Sequence, residues 1–154
     1  MSDRGMQDLV RGHLLPYSMA MNPKYIAAPH HRLISDTIMD AFEGRKNRIM
    51  IFAPPRHGKS ELVSKMAPAY FLGRWPEKKV IAASHTAALA EGFGGHVRDL
   101  LLDPLHLATF GRHAGLNPKT TAKGDFKTIA GGEYFAVGVG GTPIGKGGDI
   151  IVID

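Results

Sequence analysis

The sequence predicts an α/β domain in which helices flank a mainly parallel sheet. Three short apolar segments, residues 48–53, 79–83 and 149–154, are bounded by turn residues, as is typical of buried parallel strands. Between them, apolar residues recur at helical spacing. A chain of 154 residues has room for one domain of ordinary size, and alternating strands and helices in such a domain favour a layered α/β architecture.

Composition excludes several classes of protein. Hydrophobic residues make up 44% of the chain, too many for a disordered tail, and the absence of Cys excludes disulfide frameworks and thiolate metal sites. No apolar run approaches the roughly 20 residues of a membrane-spanning helix, and no secretory leader is visible. We therefore expect a protein that is not secreted and has no membrane partner. The net charge of +5 suits contact with phosphates but indicates little by itself.

The N-terminal part of the chain is expected to be irregular. Gly12, Pro16, Pro23 and Pro29 interrupt any long helix, so residues 1–29 are interpreted as loops and short turns. Residues 30–43 then show the apolar spacing of a helix, with Gly44 as its C-terminal stop.

Later elements are predicted in the same way. A helix is expected over residues 59–72, kinked at Pro68, and Thr86 is expected to cap the helix that follows the second strand. Helical content is also possible over residues 104–110. Residues 125–129 and 133–139 resemble two strands of a hairpin, and residues 149–154 form a last strand that ends on a carboxylate.

One motif carries clear chemistry. Residues 53–60, read Ala-Pro-Pro-Arg-His-Gly-Lys-Ser, have the spacing of a phosphate-binding loop with Ala53 in place of the usual first Gly. Gly58 lets the backbone approach phosphate oxygens, Lys59 reaches the β- and γ-phosphates, and Ser60 offers a hydroxyl to Mg²⁺. The predicted strand before it and helix behind it supply the expected context. The alternative is a basic turn that contains Gly-Lys-Ser by chance.

Asp154 is the expected partner of this loop. An apolar strand beside the loop strand would place the Asp154 carboxylate at its C-terminal tip, where it could hold the Mg²⁺ shell, largely through water. A structural strand that happens to end in Asp is the alternative.

Arg56 and the histidines complete the candidate residues. Arg56 lies two residues before Gly58 and could steady charge on the γ-phosphate, or could instead hold the loop or a nearby carboxylate. Pro55 and His57 belong to the same loop and are candidates for binding the nucleotide. The alternative for His57 is a side chain that is merely exposed at the surface of the loop. The pairs His30–His31 and His106/His113 have poor spacing for a structural metal. Tyr25 and the His30–His31 segment are candidates for an adenine pocket by position only.

Two stretches together resemble the large subunit of tailed-phage terminases. Residues 54–61, followed by Leu-Gly-Arg-Trp-Pro at 72–76, are similar to the family's phosphate-loop region. Residues 132–154 are similar to the Gly-rich run that leads into its metal-binding strand, the Walker B strand. The resemblance covers about residues 30–154.

The resemblance implies a P-loop NTPase fold and an ATPase, using ATP and Mg²⁺, that drives double-stranded DNA into a procapsid. It also implies a homo-oligomeric ring on a portal protein, a small terminase subunit as partner, and action in the cytoplasm of a bacterial host. In this family Lys59, Arg56 and Asp154 would be catalytic, and residues 55–60 would bind the nucleotide.

Two parts of the family pattern are missing. The acid that normally follows the Walker B Asp, and the nuclease domain behind it, lie beyond Asp154. Residues 30–154 are therefore expected to be a partial ATPase domain that binds ATP but turns it over poorly alone. The alternatives are another nucleic-acid-dependent ATPase, of helicase type, and an inert nucleotide-binding prophage fragment.

Overall fold

The structure is a computed structural model that describes residues 2–142 and 145–154. Of the Gly-rich stretch, Pro143 and Ile144 lie outside the described residues. In chain order the helices are α1 (Asp3–Gly12), α2 (Leu14–Met21), α3 (Pro29–Phe42), a π-helical segment (Glu61–Met66), α4 (Ala67–Arg74), α5 (Ala87–Leu102), α6 (Pro104–Phe110) and a 3₁₀ turn (Arg112–Ala114). The strands are β1 (Lys79–Ser84), β2 (Asp125–Lys127), β3 (Glu133–Gly138) and β4 (Ile150–Ile153).

The four strands form one mixed open sheet in the order β2-β3-β1-β4. β1 runs parallel to β3 on one side and to β4 on the other, with Val80 opposite both Tyr134 and Ile150. β2 pairs antiparallel with β3, and Phe126 stacks on Tyr134 with ring centroids 4.8 Å apart. The α/β class and the predicted hairpin are confirmed. The sheet is mixed rather than purely parallel because that hairpin adds β2 at its edge.

Most of the predicted helices are confirmed. α3, α5 and α6 lie close to their expected positions, and the Thr86 side chain caps α5 by accepting a hydrogen bond from the Leu89 N–H at 3.1 Å. The helix after the loop also forms, but its first part is π-helical, with the Ala67 N–H donating to the carbonyl of Leu62 five residues earlier. The π turn lies directly before Pro68, whose missing N–H prevents a regular α-helical bond at that point.

The prediction of an irregular N-terminal segment is wrong. Residues 3–21 form α1 and α2, and Val10, Leu14 and Tyr17 are buried in the same hydrophobic cluster as the rest of the chain. Gly12 ends α1 and Pro16 lies in the first turn of α2, positions at which a helix tolerates both residues. These residues therefore separate two short helices instead of preventing them.

The prediction of a strand over residues 48–53 is also wrong. This segment has no regular secondary structure, and Met50 and Phe52 are 81% and 87% exposed. An open cleft of about 610 Å³ is lined by Ile49, Ile51 and β4. A strand requires a partner for its backbone groups, and among the described residues no backbone hydrogen bond joins residues 48–53 to β4. Within the described ranges, no strand pairs with the outer edge of β4.

The core lies between the sheet and α4. Tyr70 and Phe71 are buried, and Trp75 packs against Phe71 from a half-buried position. Leu62 and Met66 of the π-helical segment are buried in the same cluster. The core therefore fixes the position of the helix that follows the loop relative to β1. Because β4 pairs with β1, it also fixes the loop relative to the end of β4.

Candidate functional site

The loop over residues 54–58 has an unusual backbone. Arg56 has a φ of 63° and Gly58 a φ of 76°, so two residues in this short turn adopt left-handed conformations. Gly tolerates this conformation, but for Arg it costs of the order of 1–2 kcal/mol. Backbone strain of this kind is concentrated at functional sites. The loop is therefore held in a demanding conformation by its surroundings.

The backbone N–H groups of this loop are available to a ligand. Among the described residues, none accepts a hydrogen bond from the N–H of Arg56, His57 or Gly58. Successive N–H groups in a turn of this type, next to the start of a helix, form a concavity that favours anions. The loop can therefore take phosphate oxygens without first losing internal hydrogen bonds.

Asp154 reaches this loop from the end of β4. Its Oδ1 lies 3.7 Å from the Lys59 Nζ, and its Oδ2 accepts a hydrogen bond of 2.6 Å from the Ser64 Oγ. The β4 backbone is held in register by β1: the Asp154 N–H donates to the Ala83 carbonyl, and the Ser84 Oγ donates to the Asp154 carbonyl. Parallel pairing with β1 thus determines where the carboxylate lies.

The surroundings of Asp154 favour its charged form. Partial burial by itself raises the pKa of Asp154, but hydrogen bonds from Ser60 and Ser64 and the nearby Lys59 charge outweigh it. The net result is a pKa below the ordinary value for an Asp side chain. A carboxylate and the Ser60 hydroxyl are hard oxygen ligands of the kind Mg²⁺ prefers. The residues present therefore fit a magnesium ion that shares its shell with phosphate and water.

The predicted site residues are only partly brought together. Lys59, Ser60 and Asp154 converge, whereas the Arg56 side chain is exposed and its loop position leaves it open to solvent. His57 is also exposed, and its Nδ1 donates to the Pro55 carbonyl at 2.8 Å within the loop. No three His, Asp or Glu side chains in the described ranges are grouped so as to hold a metal by themselves.

Sequence reasoning missed two residues of the site. Ser64 lies four residues beyond the motif, and nothing in the sequence of its helix indicates its partner. By sequence His31 is only a metal or adenine candidate, but its Nε2 lies 2.6 Å from the His57 carbonyl oxygen of the loop. Tyr25, also an adenine candidate, packs on His31 with ring centroids 5.2 Å apart. Burial, with Glu61 nearby, raises the pKa of Tyr25 to about 12.

The large cleft adjoins the site. Lys59, Asp154 and β4 line it together with apolar side chains that include Ile38, Val63 and Phe71. An elongated ligand whose charged end binds at Lys59 could therefore extend over apolar surface.

Comparison with protein-family models, curated proteins and solved structures found no match for this chain. Among the described residues, no helix is both long enough and apolar enough to cross a membrane.

Proposed function

We propose that this chain binds Mg²⁺-ATP through the loop at residues 54–60 and Asp154. The observation that carries the proposal is the approach of Asp154 to Lys59, two residues 95 positions apart in the sequence, beside a loop with free N–H groups. Lys59 would bind the β- and γ-phosphate oxygens, while Ser60 and Asp154 would hold Mg²⁺, largely through water. The P-loop NTPase fold is part of this proposal.

Nucleotide binding is tested first by the Lys59→Ala variant. A fluorescent ATP analogue is titrated into the full chain with Mg²⁺, beside Lys119→Ala, which removes an equal charge from an exposed turn. Loss of the phosphate-binding cation is expected to weaken affinity at least tenfold in Lys59→Ala and less than twofold in Lys119→Ala. Equal affinity of both variants and the parent would exclude this loop as the nucleotide site.

The role of Asp154 is tested by comparing how Mg²⁺ changes nucleotide affinity in the parent and in Asp154→Asn. In the parent, Mg²⁺ should strengthen binding of the analogue. In Asp154→Asn, removal of the carboxylate frees Lys59 from its ion pair, so affinity without Mg²⁺ should equal or exceed that of the parent. The gain on adding Mg²⁺ should be lost. A full Mg²⁺ effect in Asp154→Asn would show that the metal is held elsewhere.

We further propose that this nucleotide site belongs to the ATPase of a viral DNA-packaging motor. The support is the resemblance of residues 54–76 and 132–154 to terminase large subunits. Such a protein would act on double-stranded DNA, as a ring on a portal protein with a small terminase subunit, in the cytoplasm of a bacterial host. Phosphate release would be measured alone, with duplex DNA and with single-stranded DNA.

The DNA dependence separates this function from its alternatives. Stimulation by duplex DNA favours a packaging motor, and preferential stimulation by single-stranded DNA favours a helicase-type ATPase. Because this chain is expected to turn ATP over poorly alone, the same conditions are also measured with a version extended through its gene beyond Asp154. Measurable ATP affinity with no turnover in either protein favours a nucleotide-binding fragment.

A further inference from the structure

His31 connects the first turn of α3 to the loop. The ring is 7% exposed, and its Nδ1 accepts a hydrogen bond of 3.0 Å from the backbone N–H of Ala28, which precedes the helix. Its Nε2 lies 2.6 Å from the His57 carbonyl oxygen. Because Nδ1 accepts, the ring proton is on Nε2, and Nε2 donates to the carbonyl. One neutral imidazole thus caps a helix and holds a loop at the same time.

The same ring lies against Gly58. A Cβ atom added to Gly58 would be 2.8 Å from the His31 Nε2, closer than real Cβ contacts allow. The peptide unit between His57 and Gly58 is therefore fixed by a hydrogen bond at its oxygen and by close contact at the following Cα. In a trans peptide the C=O and N–H bonds point in opposite directions. Holding the His57 carbonyl toward His31 consequently directs the Gly58 N–H away from α3.

We propose that His31 is a positioning residue that orients the Gly58 N–H of the loop for a phosphate oxygen. The inference rests on the proposed nucleotide-binding function. His30 adds a longer contact of 3.2 Å from its exposed ring to the same carbonyl. His31 fixes the His57 carbonyl from a buried position. The conformational entropy of this peptide unit is therefore lost during folding and not when phosphate binds.

Two substitutions separate the two hydrogen bonds of His31. Glutamine places its amide nitrogen near the position of Nε2 and can still donate to the His57 carbonyl. Asparagine places its amide oxygen near the position of Nδ1 and can still accept from the Ala28 N–H. His31→Gln therefore retains the bond to the loop, and His31→Asn retains only the helix cap. His96→Asn, on the exposed side of α5, is the matched control for the substitution itself.

The first measurement is the NMR order parameter S² of the His57 and Gly58 backbone N–H groups in the nucleotide-free full chain, because in the described part of the chain these N–H groups have no hydrogen bond whose opening amide exchange could report. Losing one net hydrogen bond changes a local equilibrium by about two- to tenfold. We expect S² at both residues to fall in His31→Asn, toward the value below about 0.6 of flexible backbone, and to remain parental in His31→Gln and His96→Asn. The second measurement is titration with the fluorescent ATP analogue and Mg²⁺. Affinity should fall in His31→Asn and stay close to that of the parent in His31→Gln and His96→Asn.

The outcomes distinguish the two proposals. Equal order parameters at His57 and Gly58 and equal affinity in His31→Asn and His31→Gln would overturn the role of His31. If the parent binds no analogue, the proposed function fails, while the order parameters still decide whether His31 orders the loop. If His31→Asn does not fold, Gly58→Ala is compared with Gly44→Ala, since Gly44 has a similar φ of 78° but no neighbour within 4 Å of an added Cβ. A lower order parameter at His57 and residue 58 only in Gly58→Ala supports the contact, and parental values there overturn it.

Discussion

Ser64 donates a hydrogen bond of 2.6 Å to Asp154, a residue 90 positions further along the chain. The bond connects the π-helical segment, which directly follows the proposed ligands Lys59 and Ser60, to the proposed metal ligand at the end of β4. Asp154 thereby has one oxygen toward Ser64 and the other toward Lys59. The carboxylate is oriented before any ligand arrives, which is the condition for a site that does not reorganise on binding.

Replacing Ser64 is expected to destabilise the protein and to change the titration of Asp154. Ser64→Ala removes a hydrogen bond to a charged group and should lower the free energy of unfolding by about 1.5 kcal/mol. Ser64 is also one of the donors that lower the pKa of Asp154, so that pKa should rise. Urea unfolding and carboxyl NMR titration measure the two effects.

A buried serine in α3 provides the control for Ser64. Ser35 is fully buried, and its Oγ has no hydrogen-bond partner among the described residues. Ser35→Ala should be neutral or slightly stabilising, because an unpaired hydroxyl is removed from the interior. Equal losses of stability in the two variants would contradict the importance of the bond to Asp154.

Replacing Arg56 by glycine is expected to stabilise the fold and to lower ATP turnover. Its φ of 63° disfavours any side chain with a Cβ, so Arg56→Gly should raise the free energy of unfolding by up to about 1 kcal/mol. If its guanidinium steadies the γ-phosphate, the same variant should bind ATP almost normally. In a version of the chain extended through its gene beyond Asp154, ATP turnover should then fall by about 10³–10⁵, as for other arginine fingers.

Thermal unfolding, analogue titration and phosphate release follow the three properties of Arg56→Gly separately. If Arg56→Gly is both more stable and fully active, the positive φ of Arg56 serves only the shape of the loop. The cation that stabilises charge on the γ-phosphate would then have to come from another residue.

Acidic pH should destabilise the protein through His106. This buried side chain lies between the Tyr17 hydroxyl, 2.9 Å from its Nδ1, and the Ala114 carbonyl, 3.3 Å from its Nε2. Burial lowers the pKa of His106 from 6.5 to about 4, although the Ala114 bond and the Asp103 charge oppose this shift. Between these two pH values the unfolded chain binds a proton at His106 that the folded chain does not. Stability therefore falls as the pH falls, by about 3 kcal/mol.

Urea unfolding from pH 7 to pH 4 tests this prediction. His106→Gln cannot titrate and should show a flatter decline over that range than the parent does. His96→Gln, which replaces an exposed histidine, should retain the parental decline. Identical declines in all three proteins would mean that carboxylates alone determine the acid sensitivity.

Two glycines of α5 should respond to alanine with opposite signs. A Cβ at Gly92 would have nothing within 4 Å, so Gly92→Ala should stabilise the helix by about 0.5–1 kcal/mol. A Cβ at Gly94 would lie 2.0 Å from the backbone carbonyl oxygen of Lys123, so Gly94→Ala should displace that segment and destabilise the protein. Thermal unfolding of the two variants compares them directly, and a loss of stability in Gly92→Ala would contradict the contact geometry.

Local sequence determined the elements whose causes are local. Thr86 predicted the start of α5, since a capping hydroxyl acts on an N–H three residues away. The apolar runs at residues 79–83 and 149–154 predicted β1 and β4 from their composition and their bounding turns. The capping bond of Thr86 joins neighbours in the chain, whereas the pairing of β1 with β4 joins residues about 70 positions apart.

Tertiary structure decided the features whose partners are distant in sequence. Residues 48–53 have the composition of a strand, yet they pair with no strand of the described sheet. Neither the bond from Ser64 to Asp154 nor the bond from His31 to His57 is encoded in any local pattern. Strand pairing and side-chain convergence depend on which surfaces the chain brings together after its elements form, and a sequence determines that only through packing of the whole molecule.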